Sequence, residues 1–430
     1  MRISSTYSRL STTYSIYQRL MPVCVVAGCM LFLLYKYVLQ ISPSVMVHPL
    51  MRSFHLNGLG IGALTASWFW SMLIVQFAAG PLLDRYSAKW VSPLAIIASA
   101  AGALWFSQSH DLQHAIWARS LMGAGAAFAT VSYLKLSADW FSGRAYGVVC
   151  GLLVTGGMIG SMMAQAPLAL IVTHHSWQTA LRDCAYLGLM VAIIYWILIP
   201  SKKGPYLEAS QTQPIRLNDC LTILTSKTNW WLMLYSGLAF TPLAVFGGLW
   251  GNVCLERIHG MSSITASMMS SSLFLGLAIG GPFFGWIADR WISRKSSMYF
   301  GLVLSLFGFC GAIYLPIHAS WFIAMEVFIA GFGTGAFMLG FGVGKDSNCL
   351  TLAATVVCMI NTGDSILGAL TEPLIGKILD LTGHPYLSQG AEIFSRQGYF
   401  VAMGVLMFFI VLAACCLIGV KDSHSETIIQ

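Results

Sequence analysis

Long apolar runs separated by short polar loops are the feature that most limits how this chain can fold. Twelve such runs can be marked along its 430 residues. A bilayer core about 30 Å thick needs roughly 20 apolar residues per helix. The chain is therefore predicted to be an all-α multi-pass membrane protein with twelve transmembrane helices. The predicted runs are 22–46, 60–83, 89–109, 113–135, 145–172, 180–200, 229–252, 264–288, 297–316, 319–342, 352–378 and 397–420.

The composition agrees with a protein that is embedded in a lipid bilayer. Hydrophobic residues make up 57% of the chain, charged residues 9%, and the mean hydropathy is +0.73. The net charge of +7 could indicate a nucleic-acid partner, but the basic residues sit in short loops and form no stripe with aromatic residues. We therefore expect no nucleic-acid binding. The 11 cysteines show neither a CxxC motif nor metal-ligand spacing, so we expect no metal site.

The runs fall into two groups of six. The segment between the groups is polar, with Lys202, Lys203 and Pro205 close together, and it is predicted to be a linker. The predicted organisation is a cytoplasmic tail over 1–21, a six-helix bundle over 22–200, a cytoplasmic linker over 201–228, a second six-helix bundle over 229–420, and a cytoplasmic tail over 421–430.

A polar hairpin between the second and third runs occurs again between the eighth and ninth runs, 205 residues later. Both copies contain an Asp-Arg pair, with a glycine before it and a basic residue after it. Two matches at equivalent places indicate a duplicated unit. The residues that define the motif are Gly80, Asp84, Arg85 and Lys89 in the first copy and Gly285, Asp289, Arg290 and Arg294 in the second.

The distribution of basic residues predicts the orientation of the chain. Of the 23 Lys and Arg, sixteen lie on the hairpin side of the predicted spans, five lie on the opposite side and two lie inside spans. Basic loop residues concentrate in the cytoplasm. Both hairpins and both termini are therefore predicted to be cytoplasmic.

The twelve runs, the two halves and the repeated hairpin resemble the major facilitator superfamily. The stretch from Arg119 to Gly125 is similar to a motif in the fourth helix of that family. Two departures are visible. Ser87 and Ile292 stand where the family often has glycine, and the fifth run lacks the Gly-Pro pattern typical of drug/proton antiporters. The segments 35–46 and 248–251 are similar to nutrient and amino-acid uptake permeases of intracellular bacteria.

This resemblance implies a secondary transporter that works by alternating access. It implies that helices 1, 4, 7 and 10 line a central cavity. It also implies that the hairpin aspartates act in gating, because in the family this aspartate locks the two halves together when the outward-facing state forms. The basic hairpin residues could in addition hold anionic lipid head groups.

Ionisable residues inside the spans are the main candidates for transport chemistry, because burying a charge in a membrane is costly. Lys36 lies in the first run, Arg119 in the fourth, and Glu326 in the tenth, 207 residues after Arg119. The resemblance implies that these three face the cavity. Asp364 and Glu372 lie in the eleventh run.

Lys36 and Arg119 could attract a carboxylate or phosphate. The alternative for Lys36 is that its side chain reaches the outer membrane interface. Glu326, Asp364 and Glu372 are candidate proton carriers, and the alternative is that they form fixed ion pairs or hydrogen bonds in helix packing. Tyr35, Tyr235 and Asn361 complete the predicted substrate-binding set, and Asn252 and Gln165 are further hydrogen-bonding candidates.

These features favour proton-coupled uptake of a small zwitterionic or anionic metabolite, an amino acid or an organic acid, across a bacterial inner membrane. Sodium stays open as the coupling ion, and we expect no other cofactor and a functional monomer. One alternative is an exporter of drugs or siderophores. Another is a membrane receptor or sensor on a transporter scaffold. The sequence contains no nucleotide-binding loop and no catalytic Ser/His/Asp group, so an enzyme is not expected.

Overall fold

A computed structural model describes residues 3–201, 223–348, 352–388 and 390–420. Most of the predicted linker 201–228 and all of the predicted tail 421–430 lie outside the described residues. The backbone of the predicted N-terminal tail 1–21 is helical from Ile3 and continuous with the first spanning helix.

Twelve helical segments follow one another, as predicted, and they are labelled α1 to α12 in chain order. The first half contains α1 (Ile3–Ile41), α2 (Gly58–Arg85), α3 (Ala88–Ser107), α4 (Leu112–Trp140), α5 (Gly143–Met163, continued by Ala166–His174) and α6 (Trp177–Leu198). The second half contains α7 (Lys227–Val245, continued through the π-helical turn Phe246–Trp250 into Gly251–His259), α8 (Ser263–Arg290), α9 (Arg294–Tyr314), α10 (Ser320–Thr334, continued through the 3₁₀ turn Gly335–Met338 into Leu339–Asp346), α11 (Ala353–Thr382) and α12 (Arg396–Cys416).

Smaller elements lie between these helices. A 3₁₀ turn (Ser42–Val45) and a short helix (Val47–Phe54) follow α1. A two-stranded antiparallel hairpin, β1 (Tyr386–Ser388) and β2 (Ala391–Ile393), connects α11 to α12 and was not predicted. Its residues lie outside the predicted apolar runs.

Ten of the segments within the described residues are long and apolar enough to cross a membrane by composition alone. The other two, α4 and α11, carry Arg119 and Asp364 in the body of the helix. Both side chains are buried inside the protein, so these helices do not need a uniformly apolar surface.

Local sequence explains where several helices begin and break. Asn57 and Asp111 precede α2 and α4, and their side chains accept hydrogen bonds from the amides of Gly60 and His114. The break in α5 comes before Pro167, whose ring suits the first turn of a new helix.

Glycines in equivalent places bring helices of each half into close contact. A Cβ at Gly123 would lie 2.5 Å from the carbonyl oxygen of Trp68, and one at Gly331 would lie 1.9 Å from the carbonyl oxygen of Leu273. Only glycine permits such an approach. The repeat offset is 208 between α4 and α10 but 205 between Trp68 and Leu273. With an offset of 208, the residue of α10 that is equivalent to Arg119 is Val327. The predicted equivalence of Glu326 and Arg119, which lie 207 residues apart, is therefore wrong by one residue.

The two halves pack tightly at one end, which is called the closed end. There, a Cβ at Gly62 in α2 would lie 2.5 Å from the carbonyl oxygen of Glu372 in α11, and a Cβ at Gly376 would lie 2.0 Å from that of Gly58. At the other end, called the hairpin end, a Cβ at Gly80, Gly151 or Gly285 would meet no described atom within 4 Å. The halves therefore diverge toward the hairpin end and leave a cleft between them.

Candidate functional site

Lys36 is a buried cation at the cleft. Its side chain is 7% exposed, and its Nζ donates a long hydrogen bond of 3.4 Å to the Thr130 hydroxyl of α4. The same ammonium lies 4.7 Å from the centre of the Tyr37 ring. Among the described residues, no carboxylate forms an ion pair with Lys36. Its positive charge is therefore held by weak polar partners and is available to a bound anion.

Asp364 is a buried acid of α11, in the other half. Its carboxylate accepts a hydrogen bond of 2.8 Å from the Ser236 hydroxyl of α7, and it lies close enough to Tyr37 for an electrostatic interaction. A Cβ at Gly157 would lie 2.6 Å from the Tyr37 ring, so this glycine makes room for the ring between the halves. Tyr37 therefore interacts both with Lys36 of α1 and with Asp364 of α11.

The wall that α11 contributes continues toward the hairpin end. Asn361 lies one turn from Asp364 and is exposed, and Cys358 lies a further turn along and is also exposed. The structure therefore places the predicted residues Lys36, Asp364 and Asn361 around one cleft.

Two tyrosines of the predicted site lie elsewhere. A Cβ at Gly188 in α6 would lie 2.2 Å from the Tyr35 hydroxyl, so Tyr35 points into the first half and away from the cleft. The Tyr235 hydroxyl donates to the carbonyl oxygen of Ala336 at 3.4 Å, and its ring packs beside Gly340. Both side chains are fully buried. The predicted substrate contacts of Tyr35 and Tyr235 are therefore corrected to packing contacts within each half.

Glu326 also points away from the cleft, in contrast to the prediction. A Cβ at Gly311 would lie 2.4 Å from its Oε2, so the carboxyl occupies the space that this α9 glycine leaves. The side chain is 2% exposed. Adjacent residues on a helix differ by about 100° in direction. The one-residue shift relative to Arg119 therefore turns Glu326 toward α9.

Arg119 and Glu372 lie together at the closed end. The Arg119 guanidinium donates to the carbonyl oxygens of Leu39 at 2.6 Å and Gln40 at 2.8 Å, and it lies 4.6 Å from the Trp68 ring. It therefore satisfies carbonyls at the end of α1 that have no partner within the helix. The Glu372 carboxyl in the other half interacts electrostatically with Arg119. Their opposite charges therefore attract each other across the interface between the halves.

Two amide side chains and two backbone carbonyls form a second connection at the closed end. The Asn252 amide donates to Gln165 Oε1 at 2.8 Å and to the carbonyl oxygen of Ser44 at 3.2 Å. The Gln165 amide donates to the carbonyl oxygen of Gly247 at 2.8 Å. Asn252 and Gln165 are thus hydrogen-bonding residues of the interface between the halves at the closed end.

The hairpin residues form bonds within their own halves. Asp84 accepts a hydrogen bond of 2.5 Å from Lys135 of α4. Arg294 pairs with Asp346 of α10 and lies 3.9 Å from Asp289. The implied gating contact between the halves is absent from this conformation for the described residues, because the halves are apart at this end.

Both hairpins also hold the last helix of their own half. Lys89 Nζ donates to the carbonyl oxygen of Ile199, just beyond α6, at 2.8 Å. Lys295 Nζ donates to the carbonyl oxygen of Val420, beyond α12, at 2.7 Å. These equivalent contacts are called the lysine ties.

Tyr37, Thr130 and Ser236 were not predicted as site residues. Each is uncharged and lies in an apolar or small-residue context, so it carries little signal by itself. A usable signal was the spacing of Ser236 and Phe240, which places both on one face of α7.

Comparison with known proteins identifies relatives along most of the chain. A family model described as the Major Facilitator Superfamily matches residues 24–371. The chain is 21% identical to an uncharacterized transporter, YybO, of Bacillus subtilis (strain 168), over 88% of this chain and 91% of that protein. It is 22% identical to a probable galactarate/D-glucarate transporter, GudP, of Escherichia coli (strain K12), over 91% of this chain and 92% of that protein.

A solved structure has the same fold. A crystal structure of a bacterial homologue of the human lysosomal transporter Spinster, in an inward-facing and occupied conformation, superposes with a TM-score of 0.73. The alignment covers 93% of this chain and 96% of that chain at 16% sequence identity.

Proposed function

The chain belongs to the Major Facilitator Superfamily, and on that premise we propose that it transports a small organic anion by alternating access around Lys36. The family and the relatives are transporters and not enzymes, which confirms the prediction that this chain is not an enzyme. The proposal narrows the expected zwitterion or anion to an organic acid.

The observation that carries the proposal is the state of Lys36. It is a buried ammonium at the cleft with a single long hydrogen bond to Thr130 and no ion pair to a described carboxylate. A buried cation without a counter-ion is costly, and a bound carboxylate relieves that cost. The relative GudP is described as a transporter of galactarate and D-glucarate, both of which are organic acids, which supports an anionic substrate.

We propose that the coupling ion is a proton carried by Asp364. An ionised Asp364 repels a substrate anion bound in the cleft, whereas a protonated Asp364 does not. Binding of the anion then favours binding of the proton. Sodium is the alternative that the experiment below distinguishes.

We propose that the hairpin end faces the cytoplasm of a bacterial cell and that the protein works as a monomer in the inner membrane. The excess of basic residues on the hairpin side supports this orientation. Both walls of the cleft come from one chain, which supports a single chain as the unit of transport. In this orientation the conformation described is open to the inside.

The test is binding of radiolabelled carboxylates to the full-length protein in lipid nanodiscs, with D-glucarate and 3-phenylpropionate as probes. Lys36→Ala is expected to weaken binding at least about 10-fold, since charge-assisted hydrogen bonds are worth about 1.5–3 kcal/mol. Lys377→Ala is the matched control, because Lys377 is an exposed lysine of α11, next to Gly376 of the closed end. Equal affinity of wild type and Lys36→Ala would contradict the proposal.

Coupling is tested in liposomes with an imposed pH gradient. Accumulation should require the gradient in wild type, and it should be lost in Asp364→Asn while exchange of labelled for unlabelled substrate continues. Accumulation that survives collapse of the pH gradient and follows a sodium gradient would assign the coupling ion as sodium.

A further inference from the structure

Three phenylalanines form a row on the second-half wall of the cleft. Phe240 of α7 stacks on Phe337 of α10, with ring centroids 4.9 Å apart and ring planes at 28°. Phe337 meets Phe341, one turn along α10, edge to face at 5.9 Å. Phe240, Phe337 and Phe341 are called the phenylalanine wall.

Exposure shows that this wall faces the cleft. In the stretch 235–255 of α7, which is described throughout, every residue is buried except Phe240, which is partly exposed. That stretch packs inside the bundle against α1, α10, α11 and α12. Lipid does not reach it there, so the exposed edge of Phe240 faces the cleft. Phe341, also partly exposed, continues the surface toward the hairpin end.

The wall lies at nearly the same depth as Lys36. Gly248 of α7 is beside Ile41 of α1, since a Cβ there would lie 3.9 Å from Ile41 Cδ1. Toward the hairpin end, Lys36 is five residues from Ile41, and Phe240 is eight residues from Gly248. At about 1.5 Å of rise per residue, the two side chains differ in depth by about 4 to 5 Å.

The contacts around Asp364 also place Phe240 near the depth of Lys36. Asp364 accepts the hydrogen bond of Ser236, which is one helical turn from Phe240 on the same face of α7. Asp364 also neighbours Tyr37, which touches Lys36. The cation and the aromatic rings are therefore on facing walls of one cleft.

The two walls have different chemistry. The first half offers the Lys36 ammonium and the Thr130 hydroxyl, and the second half offers flat apolar rings beside a carboxyl that already accepts a hydrogen bond. A chain of hydroxyl groups against these rings would leave its donors and acceptors unpaired, which costs free energy. A flat apolar group would leave no polar atom unpaired against these rings, and it would gain aromatic contacts with them.

We infer that the transported anion is an aromatic carboxylate, with its carboxylate at Lys36 and its ring against the phenylalanine wall. The inference rests on the proposed function and names the substrate class of the same site. An aromatic substrate would distinguish this protein from a carrier of polyhydroxylated acids. In both cases Lys36 would bind the carboxylate.

The experiment compares 3-phenylpropionate with D-glucarate by calorimetry on the full-length protein in nanodiscs. We expect 3-phenylpropionate to bind at least about 10-fold more tightly. Phe240→Ala should weaken 3-phenylpropionate about 10-fold and change D-glucarate binding by less than about 2-fold. Phe240→Leu keeps most of the apolar volume and should fold even if Phe240→Ala folds poorly. This variant should bind 3-phenylpropionate several-fold more weakly than wild type.

Phe307→Ala is the matched control, because Phe307 of α9 is 59% exposed on the outer surface of the bundle. This variant should bind both probes as wild type does. Equal or tighter binding of D-glucarate that still depends on Lys36 would overturn the aromatic assignment alone. Binding of neither probe, or binding that is unaffected by Lys36→Ala, would overturn the proposed function and this inference together.

Discussion

The carboxylate of Asp380, at the end of α11, accepts a hydrogen bond of 2.7 Å from the backbone amide of Gly58, at the start of α2 in the other half. Its second oxygen accepts one of 2.8 Å from the next amide, that of Leu59. The start of a helix has unpaired amides and a partial positive charge, which a carboxylate stabilises. One acidic side chain thus caps a helix across the interface between the halves.

Replacing Asp380 by Ala should weaken the closed end and depopulate the conformation described. A partly exposed charge at a helix start contributes about 1 kcal/mol, which corresponds to about a five-fold shift in population. The measurement is the labelling rate of Cys358, exposed on the cleft wall, with a maleimide, and the expected result is slower labelling.

Asp111→Ala is the control for this variant, because Asp111 caps the start of α4 within one half, at 2.9 Å from the amide of His114. Its Cys358 labelling rate should match wild type. Labelling of Asp380→Ala at the wild-type rate would show that the cap does not hold the halves together.

Gly62→Ala should destabilise the protein by about 1–3 kcal/mol, a typical cost of overpacking. The new methyl group would lie 2.5 Å from the carbonyl oxygen of Glu372 and 2.6 Å from Cα of Pro373, and backbone atoms cannot rotate away. Gly80→Ala, in the same helix, meets no described atom within 4 Å and should be neutral or slightly stabilising. Melting temperatures of the purified variants test this, and equal values would refute it.

Glu326→Gln should leave the affinity for substrate and the proton dependence of transport unchanged. The carboxyl of Glu326 lies against Gly311 in α9 and not at the cleft. Asp364→Asn, in contrast, should lose gradient-driven accumulation. Uptake by both variants in liposomes makes the comparison, and a loss of coupling in Glu326→Gln would restore Glu326 to the transport pathway.

The stability of the protein should depend on pH through His48, which follows α1 outside the spanning segments. Burial, followed by the positive charge of Arg52, lowers the pKa of His48, even though Glu256 lies 3.8 Å away. The unfolded chain takes up this proton near pH 6.5, and the folded chain does so at lower pH. Stability should therefore fall as pH drops through about 6.5 and level off below the folded pKa.

Melting temperatures at pH 7.5 and 5.5 test whether stability falls on acidification. His48→Gln should lose less stability on acidification than wild type, whereas His110→Gln, which changes an exposed loop histidine, should behave like wild type. An unchanged pH dependence in His48→Gln would show that another group controls it.

The positions of the helices could be predicted from sequence because each span needs a long apolar run. The predicted run 60–83 corresponds to the helix Gly58–Arg85, and the predicted run 352–378 corresponds to the helix Ala353–Thr382. Lys36 and Asp364 could be singled out as candidates, and their burial could be expected, because a charge inside such a run is costly and so marks a special environment.

The direction of each side chain could not be predicted in the same way. Tyr35 is next to Lys36 but points about 100° away from it around the helix. Glu326 was misplaced because it lies 207 residues after Arg119, whereas Gly123 and Gly331, which make equivalent contacts, lie 208 residues apart. Asp380 gave no signal, because its partners are backbone amides that lie 322 and 321 residues away in the chain.

The lysine ties have a consequence for the energetics of the transport cycle. Lys89 and Ile199 belong to one half, and Lys295 and Val420 to the other. If the halves rock against each other as proposed, neither distance changes, so both ties should be kept in every state of the cycle. In the cycle proposed above, they would stiffen each half without favouring one conformation over another.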